Sequence, residues 1–188
     1  MANEPIHYEF TDLIQTDINT SIDPTLLRRA LTTPPFISVP DIINFRDLGT
    51  LPSSPIRRNL LYRSGALHNL STSSFTKLKD DLRVKMILDL RSAREIERSP
   101  DPIIEGVQNM HLNSLKVPSP LKMDRFVENG GVNGYVEMYG EVLEIHGPSI
   151  RAALEWVRDE GTPVLFHCTG MPLTAFPLLM VKCTDIIQ

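Results

Sequence analysis

The chain has 188 residues, of which 41% are hydrophobic and 22% charged, with a net charge of −4. This length suffices for one domain with a buried core, and the composition is ordinary for a globular protein. The acidic balance argues against a nucleic-acid-binding surface but leaves room for a local positive pocket. Two cysteines make no disulfide framework, and the N-terminus is not a secretory signal, so we expect a cytoplasmic or nuclear protein. The longest apolar stretch, residues 171–181, is too short to span a membrane.

The first part of the chain predicts an arm, a helix and short extended segments. Residues 1–22 are polar and weakly patterned, so we expect an N-terminal arm that lies over the surface or is partly disordered. Asp23 as N-cap and Pro24 at the first helical position predict a helix over residues 25–31. Two short strands and a loop are predicted over residues 36–39, 42–44 and 46–55.

The middle of the chain alternates strands with helices. Residues 60–63 predict a strand, and residues 71–82 predict a helix with apolar side chains at helical spacing. Residues 85–90 contain Met-Ile-Leu-Asp-Leu, a nearly continuous apolar run typical of a buried parallel strand. The sequence Ser92-Ala93-Arg94-Glu95 is a capping box and predicts a helix immediately after that strand.

The last part predicts a strand, a loop, two helices and a final strand. Residues 107–112 are a strand candidate, and residues 113–134, rich in proline and glycine, predict a long mobile loop. Two amphipathic helices follow, with apolar faces formed by Tyr135, Met138, Tyr139, Val142 and Leu143, and by Ile150, Ala153, Leu154 and Val157. Residues 164–166 are the last strand. This alternation predicts an α/β fold in which a central, mostly parallel sheet is flanked by helices.

The last strand leads directly into a His-Cys pair. Cys168 at the tip of a buried strand lies where α/β folds place ligands. Main-chain N–H groups of a loop there would bind a phosphate and favour the thiolate, which can attack phosphorus and form a phosphocysteine intermediate. The alternative is a small buried cysteine that follows a core histidine, His167.

A second motif lies far upstream, where residues 44–49 read Asn-Phe-Arg-Asp-Leu-Gly. Together with the His-Cys pair, this motif resembles the cysteine-dependent protein-tyrosine phosphatases of the tyrosine/serine branch. In that family the first motif has this sequence and the second begins with His-Cys. The resemblance covers residues 36–169. Two further segments at strand ends also resemble the family: Tyr62-Arg63-Ser64-Gly65 and Asp89-Leu90-Arg91-Ser92.

The resemblance implies a protein-tyrosine-phosphatase-like fold and an active site. It makes Cys168 the nucleophile, and it gives His167 the role of organising the loop and keeping the cysteine ionised. The residues that it places at the phosphate, either lining or bracing the pocket, are Asn44, Arg46, Asp47, Arg63 and Arg91. Without the resemblance, residues 44–49 would be a surface turn with a local ion pair. No metal or cofactor is implied.

The sequence departs from the family immediately after the His-Cys pair. The family motif continues through Gly-Lys-Asp-Arg, whereas residues 171–174 read Met-Pro-Leu-Thr. Thr174 stands where the family has the arginine that holds two phosphate oxygens, and Pro172 contributes no N–H group. The acid of the loop is missing as well. We therefore expect severely impaired turnover, and a chain that is truncated or altered after Thr169 and lacks the helices that follow the catalytic loop.

These observations predict three segments: an N-terminal arm (1–22), a phosphatase-like domain (23–169) and a divergent apolar tail (170–188). The predicted activity is cysteine-dependent phosphomonoester hydrolysis on phosphorylated protein. Phosphotyrosine is the leading substrate, and phosphoserine, phosphothreonine and phosphoinositide remain open. One alternative is a non-catalytic pseudophosphatase that binds a phosphorylated or protein partner. Another is a rhodanese-like sulfur carrier, which explains Cys168 but not residues 44–49.

Overall fold

The computed structural model describes residues 17, 20–51, 53–112, 115–116, 119, 122–127 and 131–169. The tail predicted for residues 170–188 and most of the arm predicted for residues 1–22 lie outside these ranges. Both therefore stay predictions, and so does the mobility predicted for residues 113–134, which the structure describes only in part.

The described chain forms five strands and five helices. In chain order these elements are α1 (Pro24–Leu31), β1 (Arg46–Asp47), β2 (Leu61–Ser64), α2 (Thr72–Thr76), β3 (Met86–Asp89), α3 (Ala93–Arg98), β4 (Gln108–His111), α4 (Val132–Ile145), α5 (Gly147–Glu160) and β5 (Val164–His167). Short 3₁₀ turns cover Leu48–Thr50 and Met123–Phe126, and α2 continues into a π turn over Lys77–Asp81.

Helix starts follow the capping chemistry that the sequence predicts. At α1, Oδ1 of Asp23 accepts hydrogen bonds from the N–H groups of Thr25 at 2.8 Å and Leu26 at 3.0 Å. At α3, the capping box between Ser92 and Glu95 is present. Both predictions are confirmed. They could be made from the sequence because each capping interaction joins neighbouring residues.

The segment before β2 differs from the prediction. Residues 36–39 and 42–44 form only isolated bridges, Phe36 to Arg46 and Val39 to Ile42. The edge strand β1 lies instead at residues 46–47, within the predicted loop. The reason is local, since Asp41 and Asn44 have φ values of 61° and 57° and interrupt the extended conformation on both sides of Ile42.

The five strands form one sheet in the order β1-β2-β5-β3-β4. β1 is antiparallel to β2, and the other neighbouring strands are parallel. The prediction of a central, mostly parallel sheet flanked by helices is confirmed. Since β5 is the middle strand, the residue that follows it emerges at the centre of the carboxyl edge of the sheet.

Each face of the sheet packs against its own apolar layer. One layer contains Tyr62, Leu78, Ile87 and Leu165, which are all fully buried. The other layer contains the strand residues Met86, Leu88 and Val164, packed against Ala153, Trp156 and Val157 of α5. All four residues of β3 are buried, as expected for a strand with helices on both sides.

The inward faces of the last two helices differ from those predicted. On α5, Trp156 packs on the sheet, whereas Leu154 points outward with 59% of its surface exposed. On α4, Tyr135 makes an edge-on contact with Phe126 at 5.1 Å between ring centroids, while Leu143 is 62% exposed. The spacing of apolar residues predicts both helices. The apolar face of each helix is so wide, however, that the spacing does not tell which of its residues face the core.

His146 at the junction of α4 and α5 makes stability depend on pH. Its Nδ1 is buried without a hydrogen-bond partner among the described residues, and burial lowers the pKa of its imidazole. Between that lowered pKa and the usual value of about 6.5, the unfolded chain binds more protons, so the free energy of unfolding falls as pH falls. We expect His146→Gln to flatten this dependence between about pH 7 and pH 5 in urea titrations. The same substitution at the exposed His68 serves as the control, and an equal effect of both would contradict the assignment.

None of the helices in the described part of the chain combines the length and apolar character that crossing a membrane requires.

Candidate active site

The parallel strands bring polar side chains together at the carboxyl edge of the sheet. In register across β2, β5, β3 and β4, the last residues are Ser64, His167, Asp89 and His111. Cys168 follows His167 directly, and its thiol is half-buried and outside any disulfide. The edge therefore places a free thiol beside a row of ionisable and hydroxyl groups.

Asp89 and Arg91 form a buried ion pair at the end of β3. The guanidinium Nη2 of Arg91 lies 2.7 Å from Oδ2 of Asp89, and Nε donates to both carboxylate oxygens at 2.9 and 3.0 Å. The main-chain N–H of Arg91 donates to Oδ1 at 2.8 Å. Burial raises the pKa of the Asp89 carboxyl, but the hydrogen bonds from Arg91 outweigh this effect and hold that pKa below its usual value.

Asp101 connects this ion pair to His167. Its Oδ1 accepts a hydrogen bond from Nη2 of Arg91 at 2.8 Å, and its Oδ2 lies 2.7 Å from Nε2 of His167. The same imidazole nitrogen is 3.8 Å from Oδ1 of Asp89. The histidine that precedes the thiol is thus held by a buried carboxylate, which is itself held by an arginine.

This cluster also has the spacing of a metal site. The ligand atoms of Asp89, Asp101 and His167 lie within 4.8 Å of one another. However, the guanidinium of Arg91 binds both carboxylates and already provides a positive charge in their midst. We therefore assign no ion to these residues.

Arg91 is engaged by protein groups on several sides. Besides the two carboxylates, its Nη1 donates to the carbonyl of Ser99 at 2.9 Å. Its own carbonyl accepts a hydrogen bond from Nε2 of His111 at 3.0 Å. These contacts tie the end of β3 to the end of β4 and to the segment after α3.

Glu95 connects α3 to the residue after the cysteine. One carboxylate oxygen accepts hydrogen bonds from the N–H and hydroxyl of Ser92 at 2.9 and 2.6 Å, and the other accepts one from the hydroxyl of Thr169. The hydrogen bonds from Ser92, and then the one from Thr169, lower the pKa of Glu95. Near neutral pH this side chain is therefore an acceptor that positions Thr169 and not a donor of protons to a leaving group.

The start of the Asn44–Gly49 motif lies close to the same edge. The N–H of Gly65, just after β2, donates to the carbonyl of Ile43 at 3.0 Å, which brings Asn44 beside the end of that strand. Arg46 pairs with Arg63 one row inside the edge, and its guanidinium carbon lies 5.9 Å from the ring centroid of Phe36. Arg46 is buried at this position.

Asp47 lies two rows inside the edge, opposite Tyr62. Its Oδ1 accepts from the N–H of Gly49 and its Oδ2 from the N–H of Asn59, both at 2.9 Å. Burial, and then the charge of Asp47, raise the pKa of Tyr62 to about 12. Both carboxylate oxygens of Asp47 thus accept from main-chain N–H groups, which ties Gly49 and Asn59 together.

Gly49, which ends the Asn44–Gly49 motif, leaves no room for a side chain. A Cβ at Gly49 would lie 2.5 Å from the carbonyl oxygen of Arg57 and 2.6 Å from Cα of Arg58. We expect Gly49→Ala to lower the free energy of unfolding by about 1–3 kcal/mol, because the clash is with main chain that cannot move aside cheaply. Gly140→Ala is the control, since a Cβ at this position in α4 meets no atom within 4 Å and should stabilise the helix. Equal denaturation midpoints for the two variants would contradict this reading.

Arg63 differs from Arg91 in its surroundings. It is half-buried on β2 and lies next to Phe166 of β5, two residues before the thiol. Its guanidinium makes no hydrogen bond or ion pair with any other residue that the structure describes. Among the residues that the structure describes, Arg63 thus has no partner of the kind that holds Arg91.

Sequence reasoning missed Asp101 and did not single out Asp89. Asp101 lies 66 positions before the histidine that it contacts, in an irregular segment with no periodic pattern. The only available signal was general: a buried histidine commonly has a carboxylate or carbonyl partner on its second nitrogen.

Comparison with known proteins identifies the family of this chain. Residues 37–170 match the tyrosine phosphatase family, nearly the same range over which the two motifs indicated a resemblance. No curated protein matches the chain. The matched region contains all five strands, the Asn44–Gly49 motif and the His-Cys pair, and the chain belongs to the tyrosine phosphatase family.

Proposed function

We propose that this chain is a phosphatase-like domain in which Cys168 is the nucleophile of phosphomonoester hydrolysis, and that its turnover is severely impaired. The observation that carries the proposal is the position of Cys168. The thiol directly follows the middle strand of the sheet, beside a histidine held by a buried carboxylate, inside the region that matches the family.

The chemistry follows from the thiol. The thiolate of Cys168 attacks phosphorus, the bond to the ester oxygen breaks, and the leaving oxygen takes up a proton. Water then hydrolyses the phosphocysteine and regenerates the thiol. A phosphorylated protein is the proposed substrate, with phosphotyrosine tested first and phosphoserine, phosphothreonine and phosphoinositide as alternatives. We propose a cytoplasmic or nuclear location, where a thiol stays reduced.

The proposed impairment comes from the loop that follows the thiol. Thr174 replaces an arginine, Pro172 removes an N–H donor, and the loop has no acid. The loss of one donor to the transition state typically costs about 3–4 kcal/mol. Glu95 does not substitute for the acid, because its lowered pKa keeps it ionised near neutral pH.

Arg63 supports phosphate binding at this site. Its guanidinium is available to an anion and lies on the strand adjacent to the one that leads to Cys168. In a Cys168→Ser background, we expect Arg63→Met to weaken binding of a phosphotyrosyl peptide by about tenfold, the value of a hydrogen bond to a charged group. The exposed Arg58→Met is the matched control. Equal affinities of the two variants, measured by fluorescence anisotropy, would show that Arg63 does not bind the phosphate.

The activity itself is tested by phosphate release from a phosphotyrosyl peptide. We expect slow release by the natural chain and none by Cys168→Ser. Release at the same rate by both proteins would exclude Cys168 as the nucleophile.

A second candidate function is a non-catalytic module that binds a phosphorylated partner. The specific observation in its favour is the combination of an available Arg63 guanidinium with a loop that lacks the catalytic arginine. Binding of the phosphorylated peptide over its unphosphorylated form, without phosphate release, is the result that distinguishes this function.

A further inference from the structure

Four ionisable side chains are buried together behind the candidate nucleophile. Arg91 is 3% exposed, Asp89 5%, Asp101 8% and His167 0%. The two carboxylates and the guanidinium leave one negative charge in excess, and it faces the imidazole. Groups buried this deeply must satisfy one another, so their hydrogen atoms have few allowed positions.

The contacts fix where the hydrogen of the imidazole lies. Arg91 can only donate, so Oδ1 of Asp101 accepts from its Nη2 at 2.8 Å. The carboxylate can only accept, so the 2.7 Å contact with Oδ2 requires a hydrogen on Nε2 of His167. Nδ1 of His167 is buried and has no hydrogen-bond partner among the described residues. The imidazole is thus held through one nitrogen only.

We propose that Asp101 is a positioning residue for the Cys168 site. It fixes the ring orientation of His167 and keeps the hydrogen on Nε2, so that the lone pair of Nδ1 stays on the other side of the ring. This role rests on the proposed function, because His167 matters to catalysis only as the neighbour of the nucleophile.

The substitution Asp101→Asn separates this role from simple packing. Asparagine has nearly the shape of aspartate but one acceptor and one donor group. Since Arg91 must donate, the carbonyl oxygen of the asparagine turns toward Nη2, and its NH₂ group then faces Nε2 of His167. Nε2 must become the acceptor, so the hydrogen moves to Nδ1. The ring then has no free lone pair with which to accept a proton from the neighbouring thiol.

Two measurements test the proposal. The first is the ¹⁵N NMR signature of the His167 ring, assigned by comparison with His167→Gln. We expect the hydrogen to lie on Nε2 in the natural chain. In Asp101→Asn we expect it to lie on Nδ1, with none on Nε2. The second is alkylation of Cys168 by iodoacetamide at pH 7, followed peptide by peptide with mass spectrometry. We expect alkylation about tenfold slower or more in Asp101→Asn, and unchanged in the control Asp159→Asn, whose carboxylate pairs with Arg158 on the surface.

The outcomes separate this inference from the proposed function. The positioning role would be overturned if Nε2 carried no hydrogen in the natural chain, or if the ¹⁵N spectrum of the ring were the same in both proteins. The first of these results does not require the variant to fold. Unchanged alkylation in a variant that melts cooperatively would also overturn it. If the ring signature and the alkylation change as expected but no phosphate is released, the role of Asp101 stands and the proposed hydrolysis fails.

Discussion

Replacing residues 171–174, Met-Pro-Leu-Thr, by the family's Gly-Lys-Asp-Arg is expected to raise phosphate release from a phosphotyrosyl peptide by about 100-fold or more. The graft adds a guanidinium that can hold two phosphate oxygens, restores the N–H group that Pro172 lacks, and supplies an acid. The sheet that positions Cys168 is the same in both proteins, so the gain isolates what the loop contributes.

Two controls make this result specific. The graft combined with Cys168→Ser should release no phosphate, because the nucleophile is gone. A graft that reads Gly-Lys-Asp-Met should recover little of the gain, because methionine cannot bind phosphate oxygens. If the complete graft stays at the level of the natural chain while folding normally, the loop substitutions are not the cause of the impairment.

The substitution Arg91→Met is expected to have the largest effect on stability. It leaves the carboxylates of Asp89 and Asp101 buried without their cation, a situation that typically costs about 3–5 kcal/mol. Chemical denaturation at pH 7 measures this loss. The matched control is Arg158→Met, which removes an ion pair on the surface of α5 and should leave the denaturation midpoint unchanged.

The loss of unfolding free energy caused by Arg91→Met should depend on pH. Arg91 holds the pKa of Asp89 below its usual value of about 4, so this pairing stabilises the fold fully above that pH. The contribution is lost as pH falls through the lowered pKa. The difference in unfolding free energy between the natural chain and Arg91→Met should therefore narrow below about pH 4. A difference that is small at pH 7, or that widens in acid, would contradict the role of this ion pair.

What could be predicted from the sequence is mostly what neighbouring residues decide. The start of α1 follows from Asp23 and Pro24, and the start of α3 from the Ser92–Glu95 capping box, because the hydrogen bonds span two or three positions. The buried strand β3 follows from its continuous apolar run. These elements alternate in the order that an α/β sheet requires.

The features that could not be predicted depend on partners far away in the sequence, or on which side of a helix faces the sheet. The contact between Asp101 and His167 joins residues 66 positions apart, and no local pattern marks an aspartate for that task. Edge strand β1 forms because Arg46 and Asp47 pair with β2, although the surrounding sequence has the composition of a loop. Leu154 belongs to an apolar stripe, but only the packing of Trp156 on the sheet decides that Leu154 faces outward.

The site residues named from the sequence stay predictions, and the structure adds the contacts among them. The two motifs named Cys168, His167 and Arg46, and the two further family-like segments named Arg63 and Arg91. The structure separates the roles of two of these arginines, since Arg91 is held by Asp89 and Asp101 while Arg63 has no such partner among the described residues. That distinction depends on which carboxylates reach each guanidinium, and it is absent from the spacing of the residues.

The decisive measurement is phosphate release from a phosphotyrosyl peptide by the natural chain, beside Cys168→Ser and the Gly-Lys-Asp-Arg graft. We expect slow release by the natural chain, none by Cys168→Ser, and release about 100-fold faster or more by the graft. Release by Cys168→Ser at the rate of the natural chain would exclude Cys168 as the nucleophile, and release by the natural chain as fast as by the graft would contradict the proposed impairment.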